Sequence, residues 1–180
     1  MLILNRLQKK WQKWFKLMFK THFAFGLLVG LMSLNFFNLI FVGPRWLFVL
    51  LVAVASSFPD IDHPRSRISK LLFPISWIIS WVAKHRGVFH SIFPIIGLYF
   101  LFDYIGLSFV GIAIGLGYLS HLVGDALTYT GIDFLYPISR FKISGPISTG
   151  GFLEMVVYVI IVILDVALLI SNNFINVNFY

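Results

Sequence analysis

Long apolar stretches recur along this chain, and the short segments between them carry most of the charge. No charged side chain occurs from Phe23 to Pro44, and that run exceeds the roughly 20 apolar residues an α-helix needs to cross a bilayer. Four further runs follow: Trp46 to Phe58, Ser91 to Ser108, Phe109 to Leu127 and Phe152 to Ile170. The second is short unless it extends back through Pro44. Lipid satisfies no backbone N–H or C=O group, and none of the runs alternates as barrel strands do, so each reads as a helix. The predicted fold class is all-α, a polytopic membrane helical bundle of about five spans. Residues 71–83, LLFPISWIISWVA, are apolar but too few to span comfortably, and Pro74 interrupts them; a re-entrant or interfacial helix is expected there.

Ahead of the first run the pattern changes. Leu4, Leu7, Trp11, Trp14, Phe15 and Met18 recur at helical spacing, and Arg6, Lys9, Lys10, Lys13, Lys16 and Lys20 fill the remaining positions. This predicts an interfacial amphipathic helix over residues 1–20, retained rather than cleaved because the run after it is too long for a signal peptide. A single membrane-embedded domain then covers 21–180, with the chemistry-bearing motifs inside 21–140. Hydrophobic types make up 59% of the 180 residues and charged types 12%, and the mean hydropathy is +0.90. No water-soluble domain of this size hides so much apolar surface. The net charge of +7 invites thoughts of nucleic acid, but six of the 14 Lys and Arg residues lie within the first 20 positions. Membrane lipids, with anionic head groups at the N-terminal helix, are the simpler partner; nothing points directly to nucleic acid, and no protein partner is readable. With no cysteine in the chain, any metal must be held by His, Asp and Glu.

Lys and Arg near span ends mark the cytoplasmic side, which places the N-terminus inside. Alternating from there returns residues 59–90 inside, with Arg65, Arg67, Lys70, Lys84 and Arg86, provided 71–83 do not cross. Residues 128–151, with Arg140 and Lys142, return inside as well, and Arg45 alone falls outside. Built on Lys and Arg alone, that topology also gathers the other polar groups: His22 opens the first span, Asp60, Asp62 and His63 follow the second, His85 and His90 precede the third, His121 and Asp125 end the fourth, and Glu154 begins the fifth. Every histidine lands at one face.

Several of these residues have the spacing of ligands. Asp60 and Asp62 in PDIDH share a side if the chain is extended after Pro59, as metal-binding carboxylates require; a polar loop with a helix-capping Asp is the bland alternative. In HRGVFHS, His85 and His90 are five apart and do not share a helical face, although Gly87 would let the backbone turn both inward and Ser91 is a candidate N-cap. Two interfacial histidines in a wet loop are an equal alternative. His121 and Asp125 are four apart and so lie on one helical face a turn apart, a spacing at which a helix supplies two ligands to one ion. A hydrogen bond between them that stabilises helix packing competes with that reading. Together these groups suit a divalent metal, zinc first, as one or two ions. Such an ion activates water and polarises a phosphoryl oxygen. Arg65, Arg67 and Arg86 would hold an anionic substrate, or simply be the arginines that cytoplasmic loops carry. His63 and Glu154 are candidates for proton transfer. Asp103 and Asp165 fall inside predicted spans, far from the histidine face. GPISTGG at 145–151 reads as a flexible loop before a nest for phosphate, and GLLVG and GIAIGLG carry small residues at helix-packing spacing.

The ordered set of TH at 21–22, FPDIDH at 58–63, HRGVFHS at 85–91 and GYLSHLVGDALTYTGIDFLYP at 117–137 resembles the YdjM-type family, described as LexA-binding, inner-membrane-associated, predicted metal-dependent hydrolases. The likeness covers about residues 20–140. It implies an inner-membrane protein with hydrolase activity. It also implies a distant similarity to zinc-dependent phospholipase C, in which a His-x-x-x-Asp pair of the kind formed by His121 and Asp125 ligates metal. The LexA association has no determinant readable in this chain. The expected function is a membrane-bound metal-dependent hydrolase acting on a phosphoester, with lipid head groups among the candidate substrates, at the cytoplasmic face. The competing expectation is a non-enzymatic adaptor or small transporter that uses the cluster as a proton relay or docking surface.

Overall fold

The computed structural model describes residues 18–34, 44–62, 73 and 87–172, the side chain of Asp62 excepted. Most of the expected amphipathic helix over 1–20 lies outside them, as do His63, Arg65, Arg67, His85, Arg86 and nearly all of 71–83.

Among the described residues there are five α-helices: α1 Met18–Leu34, α2 Arg45–Ala55, α3 Phe93–Tyr104, α4 Ser108–Ala126 and α5 Phe152–Ser171. There is no strand among them; isolated bridges pair Thr128 with Ile147 and Ile132 with Ile143 and tie down the loop between α4 and α5. That loop, read from sequence as flexible over 145–151, is therefore pinned to the end of α4.

The all-helical class follows the apolar runs, but helix lengths differ from the predicted spans. Only α4 and α5, with 19 and 20 residues, are long and apolar enough to cross a bilayer among the described helices. The predicted span Ser91 to Ser108 contains α3 of 12 residues, about 18 Å at 1.5 Å per residue against a hydrocarbon core of about 30 Å. Gly106, at φ 76, turns the chain between α3 and α4, and the apolar residues around it hide that break from hydropathy. The first helix is already formed at Met18, the first described residue of this segment, and residues 35–42 of its expected span lie outside the described ones. Pro44 does not extend α2 but stands at its N-cap.

Glycines decide how the helices meet. A β-carbon on Gly26 would lie 2.6 Å from Ser56 Cβ, and one on Gly30 would lie 3.2 Å from Val49 Cα, so α1 runs antiparallel against α2 in near backbone contact. On Gly117 it would fall 2.2 Å from the Val52 carbonyl oxygen and 2.8 Å from Ala55 Cβ. Together with the Phe48–Phe109 ring contact, this aligns α4 parallel to α2. Gly111 packs against Tyr99 and Phe102, and Gly115 against Ile95, so α3 and α4 form an antiparallel hairpin. These are the small-residue faces marked by GLLVG and GIAIGLG. Leu31, Leu34, Phe48, Val49, Val52 and Ala113 form the resulting core.

The last helix lies against α1, in parallel: Thr21 bonds Glu154, and Ala24 and Leu28 pack on Ile161. Glu154, Ile161 and Asp165 are the buried residues of α5, and its other faces present Val159, Ile160, Ile163 and Leu164 outward. With these directions the N-termini of α1, α3 and α5 and the C-termini of α2 and α4 share one end of the bundle.

Candidate metal centre

Four chain segments deliver the site. His22 comes from the first turns of α1, and His121 and Asp125 from the last turns of α4. Asp60 sits in a 3-10 turn, Phe58–Asp62, that follows α2, and His90 in a second 3-10 turn, Val88–His90, that leads toward α3. The extended chain expected after Pro59 is corrected here. With three residues per turn, backbone positions two apart do not share a side of a 3-10 helix as they would in an extended chain, and only Asp60 belongs to the described site. Ser91 is not the N-cap of α3 either: Ile92 takes that position, and the Ser91 hydroxyl donates to the Val88 carbonyl at 2.6 Å.

His22, His90, His121 and Asp125 are buried, the last two completely. Asp125 presents Oδ1 to His22 Nε2 at 3.3 Å and Oδ2 to His90 Nε2 at 3.6 Å and His121 Nε2 at 3.7 Å. Asp60 Oδ1 lies 3.9 Å from both His90 Nε2 and His121 Nε2. The His22 and His121 rings stack with centroids 4.0 Å apart and planes 20° apart, and His90 meets the His121 ring edge-on at 5.4 Å.

These distances leave room for an ion between the groups. A charge-assisted N–H···O bond is normally about 2.7–2.9 Å long. Ligand atoms around a tetrahedral ion with bonds of about 2.1 Å stand about 3.4 Å from one another. The donor atoms of His22, His121 and Asp125, and those of Asp60, His90 and His121, fall within 4.8 Å of one another in each set, so either can hold a metal ion. The tautomer supports this. His121 Nδ1 lies 2.7 Å from the Ser56 carbonyl oxygen, which can only accept, so a neutral ring carries its proton on Nδ1 and turns the Nε2 lone pair to the cluster. Backbone anchoring of the far ring nitrogen is the usual support of a metal-bound histidine. Nε2 itself has no hydrogen-bond partner among the described residues. With all three imidazoles neutral, as metal ligation requires, the two carboxylates would leave two negative charges in a buried place, which a divalent cation would balance. The donors fit the group.

Two contributors escaped the sequence reading. The Ser56 carbonyl has no side-chain signature at all. Gly124 did leave one, since an interior helix glycine costs about 1 kcal/mol against alanine and asks for a reason. A β-carbon there would lie 2.8 Å from His22 Nδ1 and 2.9 Å from its Cε1; the bare position admits the ring. Glu154, expected as a proton-transfer group, stands near the cluster but is engaged elsewhere: its carboxylate accepts from the Thr21 hydroxyl at 3.1 Å and from the Gly150 amide. Asp103 accepts from the Ser108 hydroxyl at 2.7 Å, at the opposite end of the bundle. Asp165 is buried against α1, and among the described residues neither of its oxygens has a hydrogen-bond partner.

The fold and site define an all-helical protein with two apolar helices of spanning length and, at one helix end, a buried His/Asp cluster that could hold a metal ion. The family model described as YdjM inner membrane protein matches residues 17–178, and the chain belongs to that family. It is 31% identical to the inner membrane protein YdjM of Escherichia coli K12 over 108 residues, 56% of this chain and 55% of that protein. It is 33% identical to the uncharacterized protein YvsG of Bacillus subtilis 168 over 107 residues, 58% of this chain and 67% of that one. The chain thus spans about half the length of the YdjM relatives it matches. No solved structure matches it.

Proposed function

We propose that this inner-membrane protein is a metal-dependent hydrolase acting on a phosphoester at the membrane surface, with a divalent ion, zinc by donor chemistry, held among His22, Asp60, His90, His121 and Asp125. One observation carries the reading: donors from four separate segments converge on one buried place at ligand-to-ligand distances, with His121 held by the Ser56 carbonyl. The ion's contribution there is activation of water and polarisation of a phosphoryl oxygen. Asp125 would share its two oxygens between His22 on one side and His90 and His121 on the other, which admits one ion or a bridged pair. Asp62 and His85 complete the proposed ligand set, Arg65, Arg67 and Arg86 hold the anionic substrate, and His63 or Glu154 moves the proton. The bundle is embedded in the inner membrane through α4 and α5, with its N-terminus and the cluster at the cytoplasmic face, and residues 1–20 rest on anionic head groups.

Metal analysis of the purified protein tests this, before and after His121→Ala combined with Asp125→Ala, alongside turnover of a panel of phospholipids and phosphodiesters. Metal content unchanged by the double substitution ends the ligand assignment.

A second reading rests on the 4.0 Å stacking of His22 on His121 and the adjoining carboxylates: contiguous ionisable groups also make a proton relay, as a small transporter or adaptor would use. It predicts purification without stoichiometric metal, no phosphoester turnover and, for a transporter, solute-dependent proton flux in liposomes.

A further inference from the structure

Beside His22, a partly open cavity of about 90 Å³ lies between α1, α5, the end of α4 and the loop that follows it. Met18 and Phe25 of α1 and Val157 and Ile161 of α5 form much of its wall, with His22 and Glu154 at its edge. Thr149 also lines it, and three of its polar neighbours are already occupied. The Thr21 hydroxyl donates to Glu154, the Thr128 hydroxyl to the Asp125 carbonyl at 2.8 Å, and the Glu154 carboxylate takes Thr21 and the Gly150 amide. What remains facing the space is mostly apolar, and apolar cavities take up apolar matter.

We infer that this cavity receives the head-group-proximal methylenes of one acyl chain of a phosphate-bearing membrane lipid, placing the phosphate at the His22 edge of the cluster. This names the substrate class of the proposed hydrolase and rests on that reading. Three features select such an occupant. His22 is shared, lining the cavity while its Nε2 faces Asp125 at 3.3 Å, so an amphiphile can put hydrocarbon on one side of this ring and phosphate on the other. The volume of about 90 Å³ is small, with room for the first methylenes of one chain. The wall helix α5 is of spanning length with an apolar outer surface, so bilayer hydrocarbon lies next to the cavity. A chain that starts in lipid gains little hydrophobic energy by entering a protein cavity; the cavity therefore selects shape, and the phosphate supplies the affinity.

The test uses the full chain in phosphatidylglycerol/phosphatidylethanolamine nanodiscs holding a trace of phosphatidic acid with a diazirine on one acyl chain close to the glycerol. After irradiation, adducts are mapped by peptide mass spectrometry and zinc is measured on the same sample. The expected result is several-fold more adduct on Met18, Phe25 and Val157 than on the outward Val159 and Ile163. Diacylglycerol with the same label should give several-fold less. Val157→Phe, which fills the space, should abolish the excess, and Val157→Ala, which widens it, should keep it; both should retain wild-type zinc. Adducts spread evenly over α5, equal labelling by diacylglycerol, or labelling concentrated instead in the groove beside Phe58, Leu98 and Leu101 would overturn the inference. Labelling needs no turnover, but a phosphate beside Asp60 and Asp125 needs the ion. Zinc without cavity adducts therefore sinks the cavity alone, whereas zinc and cavity adducts with no phosphoester turned over uphold the lipid site and sink the hydrolase.

Discussion

The bare α-carbon of Gly124 faces the imidazole of His22 so closely that a β-carbon would sit 2.8 Å from Nδ1. Helix propensity makes Gly124→Ala favourable by up to about 1 kcal/mol, while the contact makes it unfavourable for the ring. The expected outcome is zinc affinity lowered about 10-fold or more, in the range of lost ligand orientation, with helix content kept. Competition titration against a zinc indicator measures it. Undiminished affinity would show that His22 is not a ligand.

If the proposed centre holds an ion, its removal should loosen the whole bundle, because the donors come from α1, α4 and the two 3-10 turns. Binding to the folded state alone stabilises it by about 2.7 kcal/mol at 100 times Kd. The melting temperature should rise with the logarithm of free zinc and fall on chelation. In Asp125→Asn that dependence should flatten. A melting curve indifferent to zinc in the wild type would contradict the centre.

Thr21→Val separates stability from metal binding. It removes the donor to Glu154 at 3.1 Å, leaving a part-buried carboxylate oxygen short of a partner at a cost of about 1–3 kcal/mol. The melting temperature should drop while zinc content stays at the wild-type value, since Glu154 is not among the donor sets. Loss of zinc together with stability would place Glu154 closer to the ion than its bonds indicate.

The contact of α2 with α4 depends on Gly117, whose added β-carbon would lie 2.2 Å from the Val52 carbonyl oxygen. Gly117→Ala should cost about 1–3 kcal/mol or more through overpacking. Because the same shift carries Ser56 away from His121 Nδ1, zinc affinity should fall with stability, unlike Thr21→Val. Thermal unfolding in detergent and zinc titration read both.

A chain without cysteine allows a clean topology test. Tyr129→Cys, exposed at the cluster end, and Ile105→Cys, exposed at the α3–α4 turn, should react with impermeant maleimide from opposite sides of the membrane. The Tyr129 position should be reached only from the cytoplasm. Labelling of both from one side would refute the spanning arrangement.

Apolar continuity was enough, from sequence alone, to set an all-helical, membrane-type chain, and the parity of its runs sent every histidine to one end, where the described ones stand. The spacing of His121 and Asp125 also carried through, because one helix holds both and its geometry is local. What hydropathy missed were the breaks that leave apolarity unchanged: Gly106 turns the chain among Ile105 and Leu107, so α3 stops short of a span. The 3-10 turn at Asp60 also removes the condition under which Asp60 and Asp62 would share a side, since local backbone shape after Pro59 is not written in polarity. Only the tertiary structure decided that His22 stacks on His121, that Gly124 makes room for it and that the Ser56 carbonyl selects its tautomer. Each depends on how α1, α2 and α4 cross and rotate, which Gly26, Gly30 and Gly117 govern through contacts between residues distant in the chain.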